Sequence, residues 1–202
     1  MPVSLAKGFT FSEVVTILMT VFKVADAKRD TFVGRIQQLQ KIGIPKGTNV
    51  GRGAKANYVN WQLADLMLAL DLLDAGITPA ALTAGLSDET QTIISVYAVG
   101  GYGWHVQESL QEDHKDLYLL LRFNALEYLK PERSGGARPS VLDLTQHGRT
   151  ADTLIADLEE GPAIVMNLTQ RFRALRDAVE SVYPHRLGDI TFYPTRTGSR
   201  GG

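Results

Sequence analysis

Apolar residues in the first third of the chain recur at helical spacing. In "TFSEVVTILMTVF", Val14, Leu18, Val21 and Phe22 fall on one stripe with Val15 and Ile17 beside it, which predicts a first helix. Thr10 and Glu13 mark its start, three residues apart, a spacing that lets each side chain satisfy a backbone amide of the first turn. A second helix is predicted from a cap at Asp26 to about Ile42, with Phe32, Ile36 and Leu39 as its buried stripe and Gly43 as its left-handed terminator. Its outward face carries Lys28, Thr31, Arg35, Gln38 and Lys41. Of these, Thr31, Arg35 and Gln38 point the same way, with lengths and donor groups suited to base edges and phosphates. A leucine-dense third helix, "WQLADLMLALDLLDAG", takes Asn60 as its cap and Gly76 as its end, and Thr78 before Pro79 opens a fourth.

Between the second and third helices the periodicity stops. In "IGIPKGTNVGRGAKANYVNW", Pro45 and the glycines at 47, 51 and 53 argue for a hairpin or extended loop. Lys46, Asn49, Arg52, Lys55 and Asn57 gather on it. Two short helices meeting at an angle, followed by a basic hairpin, compose a winged helix-turn-helix, whose second helix enters the major groove while the wing follows the backbone. The glycines let the chain approach phosphates closely, and the cations neutralise them.

The second half is less regular. Residues 89 to 99 have helical character with Ser87 as cap, and "GGYGWH" follows as a hinge or pocket-lining loop in which Tyr102 and Trp104 are a candidate ligand or partner surface. The apolar run at 116 to 129 fits a buried strand or a buried helix equally, since periodicity does not separate them. After a polar connector at 132 to 140, "SVLDLT" and "PAIVMNLT" are each followed by a helical stretch, which suggests a βαβ-like unit with a small sheet. The division expected is a winged-helix domain over 1 to 86, a small α or α+β dimerisation or sensor domain over 87 to 190, and a loose, mildly basic tail over 191 to 202. The fold class expected is mainly α.

Charge sharpens this picture through its distribution. The 202 residues carry 21 basic and 22 acidic side chains, a net charge of −1. From Lys28 to Lys55, however, seven bases (Lys28, Arg29, Arg35, Lys41, Lys46, Arg52 and Lys55) face one acid, Asp30. Such asymmetry is expected where one face meets a polyanion and the remainder stays soluble.

These features together resemble the MerR-like transcription regulators. The end of the second helix, "KIGIP", matches their isoleucine-glycine-leucine pattern. Arg52, Lys55 and Tyr58 match their basic wing, and "LADLMLALDLLDAGITPAAL" matches their leucine-rich helix with its closing turn. The resemblance covers residues 10 to 86. It implies a DNA-binding module with Arg35 and its neighbours in the groove and Arg52 and Lys55 on the wing. Tyr58 would pack the wing's base or meet a phosphate. The connection "KVADAKRD" is longer than the family's turn, and Gly100, Gly101 and Gly103 interrupt the place of its long dimerising helix.

Little else in the sequence points to chemistry. The absence of cysteine excludes disulfides, thiolate metal sites and cysteine nucleophiles. The four histidines lack metal-ligand spacing, "GTNVGRGAK" lacks the Walker pattern, and no G-x-S-x-G elbow occurs. No enzyme activity, cofactor or metal is expected, and without a leader-like or membrane-spanning stretch the expectation is a cytoplasmic protein. The leading function is a homodimeric, sequence-specific transcription regulator on double-stranded DNA, contacted by Lys28, Arg29, Thr31, Arg35, Gln38, Lys46, Arg52, Lys55, Asn57 and Tyr58. The alternatives are a phage-type DNA packaging or recombination accessory protein, and a protein-interaction adaptor that docks through Tyr102 and Trp104.

Overall fold

A computed structural model describes residues 8–48, 57–80, 82, 116, 118–123, 142–143 and 163–190. These are mainly helical, with two small antiparallel sheets. Strand β1, Phe9–Thr10, leads directly into helix α1, Phe11–Val21. The capping box forms as the spacing predicts: the Thr10 amide donates to Glu13 Oε2 at 2.7 Å, and the Glu13 amide donates to Thr10 Oγ1 at 3.3 Å.

Helix α1 ends in a Schellman motif, in which the Val24 amide reaches the Met19 carbonyl and the Lys23 amide that of Thr20. The left-handed position falls on Lys23, with φ +52°. The chain then makes a 3-10 turn, Asp26–Lys28, before helix α2, Arg29–Lys41. The long "KVADAKRD" connection is thereby accounted for. It also corrects one expectation: Asp26 opens the 3-10 turn and does not cap α2, whose cap position is Lys28 and receives no side-chain hydrogen bond. The far end of α2 closes as expected, with Gly43 at φ +87° and the Ile44 amide on the Leu39 carbonyl.

Strand β2, Asn57–Tyr58, pairs antiparallel with β1, Phe9 opposite Tyr58 and Thr10 opposite Asn57. Helix α3, Asn60–Asp74, begins one residue earlier than its predicted cap allows. Val59 holds the cap position, and its amide donates to Gln62 Oε1 at 2.9 Å. A third Schellman closure, with the Ile77 amide on the Leu72 carbonyl around Gly76, ends the helix, and helical conformation resumes at Pro79. Leu63, Leu66, Met67, Leu68 and Leu72 are fully buried, so α3 is covered on every side and forms the axis of the core.

In the second half the ambiguous run contains strand β3, Tyr118–Phe123, which settles that stretch as strand over those residues. Strands β4, Leu142–Asp143, and β5, Ala163–Asn167, lie on either side of it, and both pair antiparallel to β3. The expected βαβ-like unit is corrected accordingly: β4 and β5 run in the same direction but are separated by β3. Helix α4, Leu168–Val182, then starts from Asn167, whose side chain accepts from the Gln170 amide at 2.9 Å, and a 3-10 segment, Pro184–Ile190, follows. The predicted helix at 89 to 99, the connector at 132 to 140, the helical stretch near 151 to 161 and the tail beyond 191 lie outside the described residues, as does the domain boundary at 86.

One hydrophobic core joins the described parts. It runs from Val14, Ile17 and Leu18 of α1 through Phe32, Ile36 and Leu39 of α2 and the leucines of α3 to Leu175, Ala178 and Val179 of α4. Two arginines tie α4 and the segment after it to the N-terminal elements. Arg171 pairs with Asp71 of α3, with Nε at 2.8 Å from Oδ2 and Nη2 at 2.6 Å from Oδ1. Arg186, buried, donates to Glu13 Oε1 at 2.8 Å and to the Gly8 carbonyl at 3.1 Å, with its guanidinium 4.1 Å from the centre of the Phe9 ring.

Candidate nucleic-acid interface

Burial of Phe32, Ile36 and Leu39 fixes which side of α2 faces outward. Lys28, Thr31, Arg35, Gln38 and Lys41 are all exposed, with Lys28, Thr31 and Arg35 on the flank next to Phe32. At about 1.5 Å of rise per residue this row extends for about 20 Å, enough to lie along a major groove and reach both base edges and flanking phosphates. Among the described residues no carboxylate pairs with Lys28, Arg35, Lys41 or Lys46. Arg171 and Arg186, by contrast, are paired with Asp71 and Glu13 and hold the fold together. Arg29 departs from the row: it is half-buried, and its Nη1 approaches Met19 Sδ at 3.5 Å, which draws its cation toward α1.

The residues that flank the segment expected as a wing are held in place. On the α2 side, Gln62 Nε2 donates to the Lys46 carbonyl at 2.7 Å and Thr48 Oγ1 donates to the Pro45 carbonyl at 2.9 Å, while the Lys46 side chain stays exposed. On the α3 side, the β1–β2 pairing holds Asn57 and Tyr58. Residues 49 to 56 between these anchors, with Arg52 and Lys55, lie outside the described residues, as do Tyr102 and Trp104.

Asn57 is exposed and sits against Gly8, where a Cβ would come within 2.6 Å of the Asn57 side chain. A side chain at position 8 would therefore displace the exposed Asn57 side chain. Tyr58 is a correction to the DNA-binding set. Its ring is fully buried 6.3 Å from Phe11, and its hydroxyl accepts a hydrogen bond from Gln40 Nε2. Burial raises the phenol's pKa against the opposing effect of that bond. A fully enclosed side chain does not meet a phosphate, and Tyr58 packs in the core.

Reading the sequence also missed a cleft beside the cationic row. Its floor is Phe22, Val24, Phe32 and Leu70, its rim Lys28, Thr31, Arg35 and Asp74, and its volume about 360 Å³. Phe22 is held in the wall between the Phe32 ring, 6.2 Å away, and the guanidinium of Arg171, 4.8 Å away. The rows of α2 and α3 that make this cleft were legible separately. Their juxtaposition was not.

Three carboxyl groups near these elements are displaced from their ordinary values. Burial raises Asp65 of α3 to about 7, and its Oδ1 has no hydrogen-bond partner. Burial likewise raises Asp71 to about 6 despite the Arg171 pairing that opposes it. Glu13 moves down: burial pushes it up, but hydrogen bonds from Thr10 and the Arg186 guanidinium outweigh that effect. Among the described residues no group of three or more acidic or histidine side chains is placed to hold a metal ion, and no helix is long and apolar enough to cross a membrane. Comparison with family models, with curated proteins and with solved structures finds no match for the chain.

Proposed function

We propose that the chain is a sequence-specific, DNA-binding transcription regulator of MerR-like winged helix-turn-helix form, acting as a homodimer. The observation that carries this reading is the set of exposed side chains on α2 and its cap position, Lys28, Thr31, Arg35, Gln38 and Lys41, whose cations are without carboxylate partners among the described residues. Their chemistry matches what a major groove presents: guanine O6 and N7 to a bidentate arginine, adenine to an amide, and phosphates to lysines. Supporting it are the residues that flank the basic segment, Lys46 held to α3 and Asn57 paired with β1. A single module of this size covers too little DNA for useful discrimination, so a two-fold assembly on a palindromic site is the expected working form.

Arg35 provides the test. Replacement by alanine is expected to cost about 1–3 kcal/mol of binding and to relax discrimination at one base pair per half-site. Selection of bound fragments from a genomic DNA library, followed by affinity measurement on the selected site and its single-base variants, reads both effects. Unchanged affinity and unchanged base preference in Arg35→Ala would show that α2 is not the recognition helix.

A further inference from the structure

The cleft beside α2 combines a floor and a rim of different character. Phe32 and Leu70 are buried at its base, Phe22 and Val24 are half-buried in its walls, and Lys28, Thr31, Arg35 and Asp74 stand exposed around it. Its volume of about 360 Å³ falls in the range of small-molecule sites, which are mostly apolar with a few polar groups that set orientation. The Phe22 ring is held by a tilted contact with Phe32 and by the Arg171 guanidinium, so the apolar wall is preorganised. That fixation lowers the ordering cost of binding.

The rim charges select the ligand. Two cations, Lys28 and Arg35, face one carboxylate, Asp74, and among the described residues neither cation is neutralised by an ion pair. The nearby acid Asp71 is already engaged by Arg171. We propose that this cleft binds a small carboxylic acid with a flat apolar body, its ring system on Phe22, Phe32 and Leu70 and its carboxylate on Arg35 and Lys28. Arginine suits the second contact because its planar fork meets a carboxylate with two parallel hydrogen bonds. Lys28 and Arg35 also belong to the row assigned to DNA. On that reading, which this step rests on, bound acid and DNA exclude each other and the acid is an inducer that releases the operator.

Titration calorimetry on the full chain with naphthalene-2-carboxylate, naphthalene-2-carboxamide and 2-naphthylmethylamine tests the site without DNA. The carboxylate is expected to bind, with the amide weaker by about tenfold or more, since charge-assisted hydrogen bonds are roughly twice as strong as neutral ones. Arg35→Gln, at an exposed position, should fold normally and lose the preference for carboxylate over amide, and Thr31→Trp should block all three probes. Equal affinity for carboxylate and amide, retention of the preference in Arg35→Gln, or no binding of any probe would each overturn the proposal. Competition against fluorescent operator DNA separates the two readings. A chain that binds the carboxylate but no DNA keeps the cleft and loses the winged-helix role, and one that binds DNA but no carboxylate does the reverse.

Discussion

At the scale of single residues, Lys23 carries a conformation that its two counterparts leave to glycine. Three helices end in the same hydrogen-bond pattern, with Gly43 and Gly76 left-handed at two of them and Lys23 at the third. A non-glycine residue in that region is strained by its Cβ at a cost of about 1 kcal/mol. Lys23→Gly is therefore expected to raise stability by about 0.5–1 kcal/mol, measured by thermal or denaturant unfolding. Residue-level readings from the sequence succeeded where the partners were close in the chain. The Thr10–Glu13 capping box is such a case, because both residues belong to one turn. Tyr58 is the opposite case: whether it met a phosphate or the core depended on Gln40 and Phe11, residues 18 and 47 positions away, and the structure encloses it completely.

At the scale of elements, the helices were legible and the strands only partly so. Eleven and thirteen residues of 3.6 periodicity in α1 and α2 determine both the element and the buried face, and the leucine density of α3 marks a helix covered on every side. Two residues of β1 offer no alternation to read, and β4 is as short. Helix starts shifted for a similar reason, since Asp26 and Asn60 are good capping types but the chain enters α2 through a 3-10 turn and α3 through Val59. Within α3 the buried Asp65 makes a definite prediction. Its carboxyl holds a proton up to about pH 7 in the folded protein but ionises near 3.8 when exposed. The folded state thus binds the extra proton between those values, and stability falls as pH rises through that window. At 1.36 kcal/mol per unit the loss is roughly 4 kcal/mol, and Asp71 adds to it in the same direction. Denaturant unfolding across pH 4 to 8 should show this decline, and Asp65→Asn should flatten it and be more stable than the parent at pH 8.

At the scale of the whole molecule, the C-terminal helix completes the core of the N-terminal elements. The attachments of this helix and of the 3-10 segment after it, Arg171 to Asp71 and Arg186 to Glu13, join residues 100 and 173 positions apart, a separation at which no pattern in the sequence connects them. Arg186→Ala removes an ion pair and a ring contact and leaves the Gly8 carbonyl without that donor. A loss of about 2–3 kcal/mol is expected, with faster amide exchange at Phe9 and Thr10, and Arg186→Lys should restore only part because it lacks the planar fork. This clasp holds the chain around β1, and β1 pairs with β2, which flanks the basic segment on which the DNA-binding proposal depends. The most direct test of that proposal is the salt dependence of binding to genomic DNA fragments, wild type beside the Arg52→Ala/Lys55→Ala double variant. The account predicts enrichment of a palindromic site, a logarithmic affinity that falls linearly with logarithmic salt, and a slope shallower by about two units in the variant. Failure of the wild type to bind any fragment at low salt would contradict it.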